Sequence, residues 1–161
     1  MQPRVWIFGD NIDTDVIFPG KYTYTVSDPD EMAKHALEDL DPTFAKTVQE
    51  GDIIVAGKNF GCGSSREQAA FALKYAGVSG IIAKSFARIF FRNAINAGLV
   101  AIEHCGCVDA IGTDSRVAID LSRNVIIVDD SEFSFSPFPK QVLQILNEGG
   151  LLQHVRKMLQ P

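Results

Sequence analysis

Between residues 52 and 103 three continuous apolar runs, DIIVAG (52–57), GIIAKS (80–85) and LVAIE (99–103), alternate with two helical stretches, REQAAFALKYA (66–76) and ARIFFRNAINAG (87–98). Runs that are apolar at every position suit strands covered on both faces. A strand–helix–strand–helix–strand order leaves few topologies: right-handed crossovers and a sheet that is at least partly parallel. The flanks add to this frame. RVWIFG (4–9) reads as a first strand, and RVAIDLSRNVIIVD (116–129) as two strands joined by a short turn. Pro139 opens a helix over KQVLQILNEG, and LLQHVRKML reads as one more. Strands early and late with helices inserted predict a mixed α/β layer architecture. The 161 residues carry no internal repeat or linker, so a single domain over 1–161 is expected.

The stretch DNIDTDVIFPGKYTYTVSD (10–28) interrupts this regularity. A loop of that length in a compact domain is usually functional or flexible. It ends at a helix start, where Asp28 can cap, Pro29 suits the first helical position and Glu31 has capping-box spacing. That helix is expected through MAKHALEDL (32–40), with a further helical turn in PTFAKTV (42–48).

Composition excludes several partners. Hydrophobic residues make up 46% of the chain and charged ones 22%, enough for a buried core. The net charge is −5 with no lysine- or arginine-rich block, which argues against nucleic acid and against an anionic membrane surface. No apolar run reaches membrane-spanning length and the N-terminus lacks a signal-peptide pattern, so a cytoplasmic protein is expected. The cysteines, Cys62, Cys105 and Cys107, are too few for a disulfide framework. They also lack the four-ligand spacing of a zinc or iron–sulfur site. The histidines His35, His104 and His154 form no ligand-spaced motif.

Three constellations carry chemistry. In GCGSSRE (61–67) a strand hands over to a helix, and Ser64, Ser65 and Arg66 stand at the helix start, where free N–H groups and the dipole favour an anion. Ser64 and Glu67 also have capping-box spacing, so a plain cap and an anion site are equally open. Dinucleotide and P-loop patterns are absent, as is a G-x-S-x-G elbow. Cys62 reads better as a small buried residue than as a nucleophile, because no histidine is near in sequence. In Asp10-Asn11-Ile12-Asp13-Thr14-Asp15 the acids resemble the start of a calcium loop, but its glycine and its glutamate are missing. A solvated turn, or an acid that orients another group, remains. In KSFARIFFRN (84–93) core packing explains the aromatics. It does not explain Arg88 and Arg92 on one helix face near the carboxyl end of a strand, where ligands tend to bind.

Taken together, GDNIDTDVIFPGKY (9–22), GKNFGCGSSREQA (57–69) and IIAKSFARIFFRNAINAGL (81–99) resemble the small subunits of 3-isopropylmalate dehydratases. That family also forms the swivelling domain of aconitases and homoaconitases. The resemblance covers roughly residues 4–105, and three ordered blocks are far more specific than one glycine motif. It implies a three-layer β/β/α swivelling fold that closes over a large subunit. The implied 4Fe-4S cluster is held by the large subunit's own cysteines, with no cofactor in this chain. The implied reaction is hydro-lyase chemistry on a small hydroxy-dicarboxylate, converting 2-isopropylmalate to 3-isopropylmalate in leucine biosynthesis. Ser64 matches the family's alkoxide base, Arg66 the substrate-carboxylate arginine and Ser65 the hydroxyl beside it. Asp15 matches an aspartate that pairs with a catalytic histidine of the large subunit.

Departures bear on the substrate. Gln68 stands where aconitase has histidine, and Phe18 where it has serine. Tyr22-Thr23-Tyr24-Thr25 falls where short homoaconitases carry Tyr-Leu-Arg-Thr, so Tyr24 replaces the arginine that grips a third carboxylate. A third buried charge without a cation is costly, which favours an apolar branch and hence isopropylmalate. Lys21 is close enough in sequence to compensate. The alternatives are a homoaconitase, citraconate/methylmalate or 2,3-dimethylmalate dehydratase subunit, a non-catalytic interaction module on the same fold, or an independent phosphate-binding enzyme. Self-association of the small chains stays open.

Overall fold

A computed structural model describes residues 3–160; Met1, Gln2 and Pro161, the outermost residues of the expected 1–161 domain, lie outside the described residues. Four strands, β1 (Val5–Ile7), β2 (Ile53–Ala56), β3 (Gly80–Ala83) and β4 (Val100–Glu103), form one sheet in the order β1-β2-β3-β4. Every pairing in it is parallel, with Ile54 opposite Ile81 and Ile81 opposite Ala101. A second, antiparallel sheet holds β5 (Val117–Asp120), β6 (Val125–Val128) and β7 (Ser131–Ser134). The helices are α1 (Thr14–Ile17), α2 (Pro29–Lys34), α3 (Phe44–Thr47), α4 (Glu67–Tyr75), α5 (Arg88–Asn96), α6 (Cys105–Ala110), α7 (Lys140–Asn147) and α8 (Leu151–Met158). None of these is long and apolar enough to cross a membrane, among the described residues.

The burial of the central parallel strands shows why their sequences are apolar throughout. Ile54, Ala56, Ile81, Ala83 and Ala101 face a core shared with Met32, Phe44, Leu73 and Phe90 from the helices and with Leu37 from the turn after α2. Their neighbours Ile53, Val55, Ile82 and Ile102 face a second core with Val117, Ile126, Val128 and Cys107. Alternate residues of one strand thus enter opposite cores, and the central strands β2 and β3 leave no position for a polar side chain. The layers are helix, parallel sheet and antiparallel sheet: the β/β/α arrangement expected from the resemblance. Burial also pushes the Cys107 thiol up to about 11.

Asp52, immediately before β2, is 1% exposed. Its carboxylate accepts hydrogen bonds from the Arg4 backbone N–H (2.8 Å), Trp6 Nε1 (2.9 Å) and the Gln49 backbone N–H (3.0 Å). Three donors satisfy the buried charge and tie the first strand to the second.

Several expectations change in detail. Asp28 does cap α2, accepting from Glu31 N at 3.1 Å behind Pro29, but the helix ends at Lys34 instead of continuing to residue 40. Leu37 adopts φ 56°, which an α-helix does not admit. The loop after β1 holds α1 and a 3-10 turn over Gly20–Tyr22. Two short elements have no counterpart in the sequence pattern. The strand β7 is polar and largely exposed, and α6 begins where His104 Nδ1 accepts from Cys107 N at 3.0 Å.

Candidate functional site

The site forms where the chain leaves the carboxyl ends of β1 and β2. Beyond the strands, pairing continues irregularly: Gly57 N donates to Gly9 O (3.1 Å), Asn11 N to Lys58 O (2.8 Å), Gly61 N to Ile12 O (2.7 Å) and Thr14 N to Cys62 O (2.8 Å). This ladder lays residues 10–15 against residues 57–64. Each acid of the first segment then has its own task. Asp10 Oδ1 accepts from Lys58 N at 2.7 Å, Asp13 caps α1 by accepting from Asp15 N at 2.7 Å, and Asp15 pairs with Arg66. Asp10 and Asp15 stay exposed to solvent, as a solvated turn requires, but each acid is also engaged by a specific partner.

Two glycines make the approach possible. Gly61 has φ 80°, and a Cβ there would lie 2.1 Å from the Phe90 ring; Gly63 has φ 91°, and a Cβ there would lie 2.3 Å from an Asp13 carboxylate oxygen. Both left-handed conformation and lack of space require glycine.

Ser64 is not a helix cap. The N-cap of α4 is Arg66, with no side-chain cap bond, so the capping-box expectation for Ser64 and Glu67 fails. The backbone of Ser64 is fixed differently: its carbonyl accepts from Thr14 Oγ1 (2.8 Å) and from Arg66 N (2.9 Å). That leaves Ser64 and Ser65 exposed just ahead of the first turn of α4. Arg66 is held much more firmly. Its side chain is 16% exposed against 59% for Asp15, Nη1 donates to Thr23 Oγ1 at 3.0 Å, and Nη2 pairs with Asp15. Its Nε is buried without a partner among the described residues.

Two cavities meet at this arginine. The smaller, about 180 Å³, is lined by Thr14, Ser64, Ser65, Arg66, Arg88 and Asn93, among others. The larger, about 440 Å³, includes Thr23, Tyr24, Ser65, Arg66, Gln68 and Arg92. The structure therefore brings Ser64, Ser65 and Arg66 together, with Tyr24 on the far rim, 97% exposed. Asp15 lines neither cavity and reaches the site through Arg66. Thr14, Thr23 and Asn93 join it as residues to which the sequence attached no role; Asn93 stood in a conspicuous block, while nothing in the sequence marked Thr23. A roomier hollow of about 510 Å³ between α5, β4 and residues 135–138 is chiefly aromatic, with Arg88 and Glu103 its charged members. Its Arg88 and Ser136 come without the paired serines and the ion-paired arginine that stand together at the start of α4, so chemistry identifies the site better than volume does.

Lys21 does not compensate for Tyr24. Its ammonium pairs with Glu38 Oε1 at 3.2 Å and sits 4.8 Å from the centre of the Tyr22 ring. The hydrogen bond to Glu38 raises its pKa above the ordinary lysine value. Glu38 also bonds His35 Nδ1 (2.7 Å), and His35 stacks on Tyr22 with ring centres 3.8 Å apart. Burial drives the Glu38 carboxyl upward, but the bonds from His35, Tyr22 and Lys21 outweigh it and hold the group below the usual carboxylate range.

The residues do not fit a cluster or metal ion held by this chain alone. No group of three or more His, Cys, Asp or Glu side chains is arranged to bind one, among the described residues. Cys105 is exposed and Cys107 buried on α6, while Cys62 lies in the site loop.

The aconitase C-terminal domain family matches residues 10–105 of the chain. Over 159 residues the chain is 54% identical to the 3-isopropylmalate dehydratase small subunit of Aquifex aeolicus, covering 97% of this chain and 94% of that protein. It is 55% identical over 161 residues to the methanogen homoaconitase small subunit of Methanothermobacter thermautotrophicus, covering 99% and 92% respectively. The crystal structure of a 3-isopropylmalate dehydratase from Methanocaldococcus jannaschii superposes with a TM-score of 0.88 at 45% identity, over 98% of this chain and 93% of that one.

Proposed function

Because the chain belongs to the aconitase C-terminal domain family, we propose that it is the small subunit of a 3-isopropylmalate dehydratase that interconverts 2- and 3-isopropylmalate with a large subunit. The observation that carries this reading is Arg66, a guanidinium fixed by Asp15 and Thr23 beside the exposed Ser64–Ser65 pair. A preorganised arginine binds a carboxylate at little further entropic cost, and the adjoining hydroxyls face the same space.

In this proposal Arg66 and Ser65 hold one substrate carboxylate and so set the carbon skeleton against Ser64. The Ser64 Oγ, as alkoxide, takes the proton from the carbon adjacent to the hydroxyl-bearing one. After the alkene forms, the same oxygen returns the proton to the other carbon. A serine can act so only if its negative charge is stabilised, and Arg66 with the free N–H groups opening α4 supplies that field. Departure and return of the hydroxyl belong to the partner, where the 4Fe-4S cluster is placed in this reading. Asp15 uses Oδ1 for Arg66 and is open enough for a histidine of the large subunit to reach. Tyr24 sets a phenol at the rim and Lys21 is held by Glu38, which suits an apolar branch better than a third carboxylate. A cytoplasmic location is part of the same proposal.

Reconstitution with the large subunit tests the roles. Ser64→Ala is expected to lower kcat by about 10²- to 10⁴-fold with KM little changed. Arg66→Lys is expected to raise KM by about 10- to 100-fold, since a bidentate grip becomes a point charge. Unchanged turnover in both variants would remove these assignments.

A further inference from the structure

We propose that Arg92 is a second substrate-binding residue, holding the carboxylate that Arg66 does not reach. Arg92 projects from α5 into the larger cavity, which it shares with Tyr24, Ser65 and Arg66. No acid lies within ion-pair distance of Arg92 among the described residues, whereas Arg66 is matched by Asp15, Lys21 by Glu38 and Arg123 by Glu132.

Folding alone gives no reason for this placement. Arg88 and Arg92 are four residues apart on one face of α5, so like charges repel. Arg88 opens the helix, where the dipole disfavours cations and the first turn has neither an acid nor a side-chain cap, and Arg92 stands one turn further in. An anion in the adjoining space relieves both conflicts.

The charge balance of the site points the same way. Arg66 enters as half of an ion pair, and Glu67 also lines the larger cavity. Arg66 against Asp15 and Glu67 leaves one net negative charge, which would repel a dianion. Arg88 and Arg92 turn that into one net positive charge. A hydroxy-dicarboxylate brings two carboxylates, and Arg66 can grip only one of them bidentately.

This assignment rests on the cavity at Ser64 and Arg66 being the substrate site. It is tested in the reconstituted two-subunit enzyme with Arg92→Gln and Arg92→Lys, and with Arg123→Gln on the second sheet as control. Isopropylmalate and a tricarboxylate homologue of the homocitrate type serve as substrates. For Arg92→Gln, KM is expected to rise about 10- to 100-fold for both acids with kcat within about threefold of wild type. Arg92→Lys should recover part of the loss, and the control should not change. An unchanged KM with Ser64→Ala still inactive would overturn the role of Arg92 and leave the site standing. An unchanged KM with Ser64→Ala and Arg66→Lys also fully active would overturn the site itself. A KM raised for the tricarboxylate alone would overturn the assignment to the shared carboxylate. Weaker large-subunit binding with normal KM at saturating partner would make Arg92 a docking residue and overturn the proposal.

Discussion

Gly61 concentrates the constraints that act at single residues. Its backbone is left-handed, its N–H bonds Ile12, and its empty side faces the Phe90 ring. Gly61→Ala is expected to destabilise the fold by about 2 kcal/mol, from forced overlap and positive φ together. In a thermal melt that corresponds to a fall in Tm of roughly 4–8 °C for a chain of this length. Activity should fall as well, because the same turn sets where Ser64 stands. The sequence showed that residues 61–67 were special without showing how. Spacing left Ser64 open between a cap and an anion site, whereas the carbonyl bonds to Thr14 and Arg66 decide its position, and one of those donors is 50 residues away. The three acids at 10–15 were equally ambiguous until Asp10 and Asp15 met Lys58 and Arg66 across the same gap, while Asp13 capped α1 locally. Hydrogen bonds of that range leave no periodic trace.

At the level of elements, the parallel sheet and its helices were the most legible part, because the central strands are apolar on both faces and their helices are closed by local signals. β7 and α6 escaped notice since the first is polar and exposed and the second is only six residues long. The loop over residues 20–25, which carries Thr23 and Tyr24, depends on a cluster that sequence could not assemble: Lys21, Tyr22 and His35 gathered on Glu38. The folded-state pKa of Glu38 is depressed, so its contribution to stability is present above the ordinary glutamate value of about 4.3 and is lost as pH falls through the lower folded value. The difference in Tm between wild type and Glu38→Gln is accordingly expected to be steady at neutral pH and to vanish in acid below that range. A difference that persisted in strong acid would show that the carboxylate does not anchor the loop. Since Arg66 is tied to Thr23, loosening the loop should also raise KM in the reconstituted enzyme.

For the whole molecule, the arrangement of charge implies a missing half. Ser64, Ser65 and Asp15 are exposed, and among the described residues no group of three or more His, Cys, Asp or Glu side chains is arranged to hold a metal. The purified chain alone is therefore expected to show no hydratase turnover and no visible iron–sulfur absorption, and both should appear when the large subunit is added. Turnover by the isolated chain would favour an independent enzyme on the same helix terminus. Sequence by itself determined the layer that short-range pattern controls: the strands and helices of the parallel sheet, that the central strands are buried on both faces, and which blocks carry the family resemblance. Only the tertiary structure decided that Asp15 holds Arg66, that Glu38 occupies Lys21, and that Arg92 shares a cavity with Tyr24. The physical reason is distance along the chain. Periodicity and capping act over a few residues, whereas the site is assembled by contacts between segments tens of residues apart, whose partners are chosen by the fold.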